Sequence, residues 1–141
     1  MVCKEPLSFI RVDLIKHKYQ GHLRYRYSMH IVCVYSGYHW IKFCQHKDDA
    51  LVLLQQWVTQ IERQTSRKIK VVGIDGGPEF GQATEEFKRS KLATWAAGLG
   101  ISIFKTTPYT PWMNGKAERA GRSLVEKART MMIAYNLPER L

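Results

Sequence analysis

The run Ile69 to Ile74 (IKVVGI) constrains the fold more than any other stretch of the chain. Lys70 apart, it is apolar on both sides of an extended backbone, as a strand is when both of its faces are covered. Such a strand belongs in a parallel sheet, and parallel strands need crossovers of a dozen residues or more. The flanking sequence supplies them. Upstream, Leu51, Leu54, Trp57, Val58 and Ile61 recur at helical spacing, which predicts an amphipathic helix from Asp48 to about Gln64 with Asp48 as its cap. Downstream, Gln82 to about Ala97 reads as a second helix with Phe87, Leu92 and Trp95 inward, ended by Gly98 and Gly100.

The rest of the chain fits around that strand. Ser8 to Ile15 (SFIRVDLI) alternates as a strand, with Asp13 breaking its apolar side. Tyr25 to Tyr35 (YRYSMHIVCVY) is rich in β-branched and aromatic residues and reads as a second strand. Ser36-Gly37 marks a tight turn into a third, Tyr38 to Gln45. Ile101 to Phe104 is a fifth strand, and Asn114-Gly115 opens a last helix that runs to about Tyr135 and stops before Pro138. The order is βββαβαβα: an antiparallel meander followed by alternating units. The expected fold class is α/β, with a mixed five-stranded sheet flanked by helices. Ligands of open α/β sheets sit beyond the carboxyl ends of the parallel strands, and Asp75 stands at the end of the fourth.

At 141 residues the chain fits one domain, residues 1–141. It carries 22 Lys and Arg against 12 Asp and Glu, a formal charge of +10, which suits a polyanionic partner. DNA is the leading partner, and RNA is the other nucleic acid such a surface accepts. The cysteines, Cys3, Cys33 and Cys44, are odd in number and form no CxxC, which argues against a disulfide framework or a zinc knuckle. Glu5, Arg11 and Asp13 interrupt any secretory apolar region, and no run approaches membrane-spanning length, so no membrane role is expected. The nucleus and cytoplasm are the expected compartments.

Three acids stand out among the twelve. A carboxylate inside an apolar strand is costly unless it is paired or metal-bound, which singles out Asp13. An edge strand with Asp13 facing water is the ordinary alternative. Asp75 begins an Asp-Gly-Gly stretch that also serves as a turn. Glu118 lies in the first turn of the last helix, where a glutamate also serves as a simple cap. On that helix Ala117, Ala120, Leu124, Ala128, Met131 and Tyr135 form the expected core stripe. Glu118 falls about 100° off it, on a flank shared with Arg122, Val125 and Arg129. An acid beside phosphate-sized cations fits a metal-and-DNA site as well as a cap. Three converging carboxylates suit phosphoryl transfer, in which two Mg²⁺ about 3.5–4 Å apart serve both the attacking and the leaving oxygen.

Three stretches carry a resemblance to a known family. Ile74-Asp-Gly-Gly-Pro-Glu-Phe80, Thr107-Pro-Tyr-Thr-Pro-Trp-Met-Asn-Gly-Lys-Ala-Glu-Arg119 and Leu124 to Met131 (LVEKARTM) resemble the catalytic cores of retroelement integrases, nearest the Ty1/copia type. The resemblance runs from about Ile10 to Met132. It implies an RNase H-like fold and a catalytic, metal-binding triad of Asp13, Asp75 and Glu118. It further implies Mg²⁺ or Mn²⁺ as two ions, processing and joining of DNA ends, and a homodimer or higher oligomer. Arg122 stands where the family often places a basic DNA contact. Lys105, Asn114, Lys116, Arg119 and Arg129 are further DNA-binding candidates.

This sequence departs from the family at Gly76, where Asn is usual, and at Gly121, where a polar residue is common. Glycine inside a helix costs about 1 kcal/mol against alanine. Asp75 and Glu118 have 42 residues between them, more than the family's usual spacing. Neither the N-terminal zinc-binding module nor the C-terminal DNA-binding module of a full integrase is expected within these residues. An alternative reading is a decayed remnant that binds nucleic acid without catalysis. A ribonuclease H is a weaker one, because Glu79 and Glu126 are poorly placed as a fourth carboxylate.

Overall fold

Strand alternation and helix amphipathicity decide which faces of the elements meet. A computed structural model describes residues 4–18, 24–74, 91–105 and 115–136, with 115–118 and 120 as backbone only. The strands are β1 (Phe9–Lys16), β2 (Tyr27–Cys33), β3 (His39–Cys44), β4 (Val71–Ile74) and β5 (Ser102–Lys105). The described helices are α1 (Asp49–Thr65), α2 (Lys91–Leu99) and α3 (Gly115–Ala134). Together they form one sheet in the order β3-β2-β1-β4-β5, antiparallel across β3, β2 and β1 and parallel across β1, β4 and β5. This is the mixed five-stranded α/β architecture the sequence predicts.

One sheet face is dry. Ile10, Val12, Met29, Ile31, Cys33, Val72 and Ile74 stand on it and are almost wholly buried. Ala50, Leu54, Trp57, Val58 and Ile61 of α1 cover it, and Trp57 meets Trp40 of β3 edge to face at 5.1 Å between ring centroids. Leu92 and Ala96 of α2 complete the same core. Full burial of each large aliphatic chain stabilises by about 1.5–3 kcal/mol, so this side dominates the stability of the fold.

Local details differ from expectation. Asp48 sits at the N-cap of α1 but makes no capping hydrogen bond. Instead the Asp49 carboxylate accepts from the His46 backbone N–H at 3.2 Å. Gly98 lies inside α2, and the chain leaves that helix at Gly100, which takes the left-handed conformation (φ 70°). The predicted helical residues 82–90 lie outside the described ones.

Candidate active site at the carboxyl end of the central strands

The site is framed by two neighbouring parallel strands. Val12 of β1 is in register with Ile74 of β4, and Gly73 with Arg11. Strand side chains alternate, so Arg11, Asp13 and Gly73 lie on the sheet face opposite to Val12 and Ile74. Asp13 is half-buried there, one residue past the Val12–Ile74 rung. Asp75 follows Ile74 in the chain and lies outside the described residues. Across the other edge of β1, the antiparallel register pairs Asp13 with His30 of β2.

Helix α3 crosses this face. A Cβ added at Gly121 would stand 2.9 Å from Ile15 Cδ1 and 3.7 Å from His30 Nδ1, so the helix backbone presses on the two strands that carry Asp13 and its partner. The expected core stripe is therefore rotated. Gly121 is buried and Leu124, Val125 and Met132 are half-buried, whereas Ala128, Met131 and Tyr135 are exposed. At about 100° per residue the inward line shifts by roughly 50° toward Glu118. Glu118 lies one turn before Gly121, about 4.5 Å along the helix axis. The glycine permits this approach: a Cβ at 121 would require the end of the Ile15 side chain to shift. What looks in the sequence like a costly departure is a buried contact between helix and sheet.

A chain of polar side chains runs beneath the helix. Ser28 Oγ lies 2.7 Å from His17 Nε2 and 2.8 Å from His30 Nε2, and His30 Nδ1 lies 3.1 Å from His39 Nε2. Burial, reinforced by His39 and His17, pushes the His30 imidazole down to about 4. Burial also lowers His17 and His39. The three rings are thus neutral at pH 7, and each contact joins one donor to one acceptor once the tautomers align. On the other flank, Arg11 is buried with its guanidinium 5.0 Å from the Phe9 ring and 5.2 Å from the Phe104 ring. Its NH1 has no hydrogen-bond partner among the described residues, and burial lowers its pKa.

The remaining candidates divide by position. Arg119, Arg122 and Arg129 are exposed on α3. Their helical angles span roughly 80° on one flank, and the position of Glu118 falls between that flank and Gly121. Lys105 ends β5 beside Ile74, hence on the face opposite to Asp13, and burial lowers its pKa. Asn114 and the side chains of Lys116 and Glu118 lie outside the described residues. Among the described residues no three His, Cys, Asp or Glu side chains gather to hold a metal ion. Sequence reasoning missed the histidine chain and the buried Arg11, because both depend on strand pairing that no local pattern shows.

No family model matches the chain. A retrovirus-related Pol polyprotein from transposon TNT 1-94 of Nicotiana tabacum is 35% identical over 100 residues, 71% of this chain and 7% of the relative. Pol polyproteins from transposons RE1 and RE2 of Arabidopsis thaliana are 26% and 25% identical over 134 and 135 residues, 95% and 96% of this chain. Those stretches are 8% and 9% of the relatives, so the chain spans under a tenth of each. A chain in the cryo-electron microscopy structure of the simian T-cell lymphotropic virus intasome, in complex with PP2A regulatory subunit B56 gamma, superposes with a TM-score of 0.69. It covers 94% of this chain and 44% of the solved one at 19% identity, and it shares the RNase H-like arrangement of the sheet.

Proposed function

We propose, for a chain that belongs to the integrase-like region of copia-type retrotransposon Pol polyproteins, that it is a catalytic core for divalent-metal-dependent polynucleotidyl transfer to DNA. The observation that carries the proposal is the register of β1 with β4 beneath Gly121. Asp13 stands one residue past the Val12–Ile74 rung, Asp75 is the residue after Ile74, and Glu118 is one turn before the buried glycine that faces Ile15 and His30. This chain order supports reading the three acids, far apart in sequence, as one site.

The donor set fits hard divalent cations: carboxylate oxygens on a face whose neighbouring imidazoles are already paired with one another. Asp13, Asp75 and Glu118 would hold Mg²⁺ or Mn²⁺, which supplies charge neutralisation at the reacting phosphate and activation of the attacking oxygen. The residues of the chain do the rest. Arg119, Arg122 and Arg129 hold DNA phosphates along the outer flank of α3, about 15 Å from first to last. Asn114 and Lys116, which precede Glu118 in the chain, are further phosphate contacts in this reading, and Lys105, on the opposite sheet face, would serve only DNA that runs past the end of β5. The attacking group is water in end processing and a DNA 3′-hydroxyl in joining. Assembly as a dimer or higher oligomer on two DNA ends, in the nucleus, completes the reading.

The test is Mn²⁺-dependent cleavage and rejoining of a branched DNA substrate, with wild type run beside Glu118→Gln. The proposal expects activity in the first and none in the second, with folding unchanged. Equal activity in both would remove Glu118 from the site. A folded, DNA-binding wild type without activity would favour the non-catalytic remnant.

A further inference from the structure

The rim of the sheet beyond Asp13 carries exposed aromatic rings that the core does not use. Phe43, near the end of β3, is 54% exposed, and Tyr25, just ahead of β2, is 37% exposed. Their ring centroids lie 6.0 Å apart with planes inclined by 31°, so they form one slab. Phe43 pairs with Ser28, and Ser28 with Ile15, which puts Phe43 on the same sheet face as Asp13 and His30. Backbone bonds fix the slab to the last rungs of the sheet: Arg26 N–H donates to the Cys44 carbonyl at 3.1 Å, and His17 N–H to the Arg26 carbonyl at 2.8 Å.

Charge identifies the occupant. No acidic residue occurs between Asp13 and Asp48, whereas Lys16, Lys18, Arg24, Arg26, Lys42 and Lys47 do. Arg24 and Arg26 flank Tyr25 directly and are exposed. Arg24 also takes the left-handed backbone conformation (φ 62°), a cost that non-glycine residues bear chiefly where the surroundings impose it, often at working surfaces. Exposed aromatic rings directly flanked by exposed arginines are a pattern of proteins that hold unpaired nucleic acid: bases stack on the rings, and the cations follow the backbone. A protein partner with an apolar surface would gain little from so much unbalanced positive charge.

Distance relates this slab to the site. Phe43 lies two strands across and two residues along from Asp13. At about 4.8 Å per strand and 3.3 Å per residue, that is roughly 12 Å. It corresponds to about three nucleotide steps at the duplex rise of 3.4 Å. We propose that Tyr25 and Phe43 form a stacking platform for an unpaired DNA base about three nucleotides from the reacting phosphate, with Arg24 and Arg26 on the flanking phosphates. The distance to the reacting phosphate rests on the proposed function; the preference for an unpaired base does not.

The experiment compares two probes of one sequence, a blunt duplex and the same duplex with a five-nucleotide single-stranded overhang carrying 2-aminopurine. Wild type, Phe43→Ala and Phe43→Trp are titrated against both at fixed salt. Phe43 is exposed, so the substitutions leave folding intact. The expected result is tighter binding of the overhang by wild type with quenched 2-aminopurine fluorescence. About tenfold weaker overhang binding is expected in Phe43→Ala, with blunt binding unchanged and the preference restored in Phe43→Trp. Equal loss on both probes, no loss, or a changed oligomeric state without a changed probe preference would overturn the platform. The two readings fail separately. An overhang preference in a protein without metal-dependent activity would keep the platform and drop the catalytic core, and activity without the preference would do the reverse.

Discussion

Gly73→Ala tests how tightly the candidate site is packed. A Cβ at position 73 would stand 2.8 Å from Arg11 Cδ, 3.0 Å from Phe9 Cε2 and 3.1 Å from Arg11 Nε. Contacts under 3.0 Å require something to move. Arg11 has little room to do so, because it is only 7% exposed and its guanidinium is held between the rings of Phe9 and Phe104. Removing a strand glycine gains about 0.5–1 kcal/mol, and overpacking costs about 1–3 kcal/mol. The net expectation is a loss of about 1–2 kcal/mol. For a chain of this size that lowers Tm by roughly 3–8 °C. Differential scanning calorimetry on a double-mutant cycle with Arg11→Ala is the assay. Once Arg11 is shortened the added methyl has space, so Gly73→Ala should become neutral or stabilising by up to about 1 kcal/mol, a coupling of about 1–3 kcal/mol. The reasoning is refuted if Gly73→Ala alone leaves Tm unchanged, or if its penalty survives in the Arg11→Ala background.

Three further expectations follow from the same geometry. His30 is held from an ordinary 6.5 down to about 4, so the unfolded chain takes up its proton first. Stability should be complete above about pH 6.5 and fall by up to about 3 kcal/mol as the pH drops toward 4. Chemical denaturation across that window should show a flatter profile for His30→Gln, and an identical one would contradict the burial argument. Arg122→Ala should weaken duplex DNA binding and reduce the slope of log K against log salt by about one, read by fluorescence anisotropy. An unaltered slope would put Arg122 off the DNA path. Asp13→Asn should preserve or raise Tm in metal-free buffer, because it removes acid–acid repulsion. A marked drop would make Asp13 a structural residue instead.

The sequence by itself determined the kinds and order of elements. Period-two alternation in Phe9–Lys16, the β-branched run of Tyr27–Cys33 and the helical spacing of Leu54, Trp57, Val58 and Ile61 depend on near neighbours, so they are legible without a fold. The boundaries of the five strands and the first helix moved by only a residue or two, as fraying ends do. The candidate acids were legible for a different reason: each stands where local chemistry makes a carboxylate unusual, in a strand interior, at a strand end or in a helix's first turn. Tertiary structure alone decided which strands and helix faces are neighbours. Strand register joined Asp13 to His30 and Val12 to Ile74, and no local pattern reports pairings across 17 or 62 residues of chain. Packing decided the rotation of α3: Gly121 is buried against β1 and β2, where an added Cβ would displace the end of the Ile15 side chain. It also buried Arg11 against two rings supplied by β1 and β5.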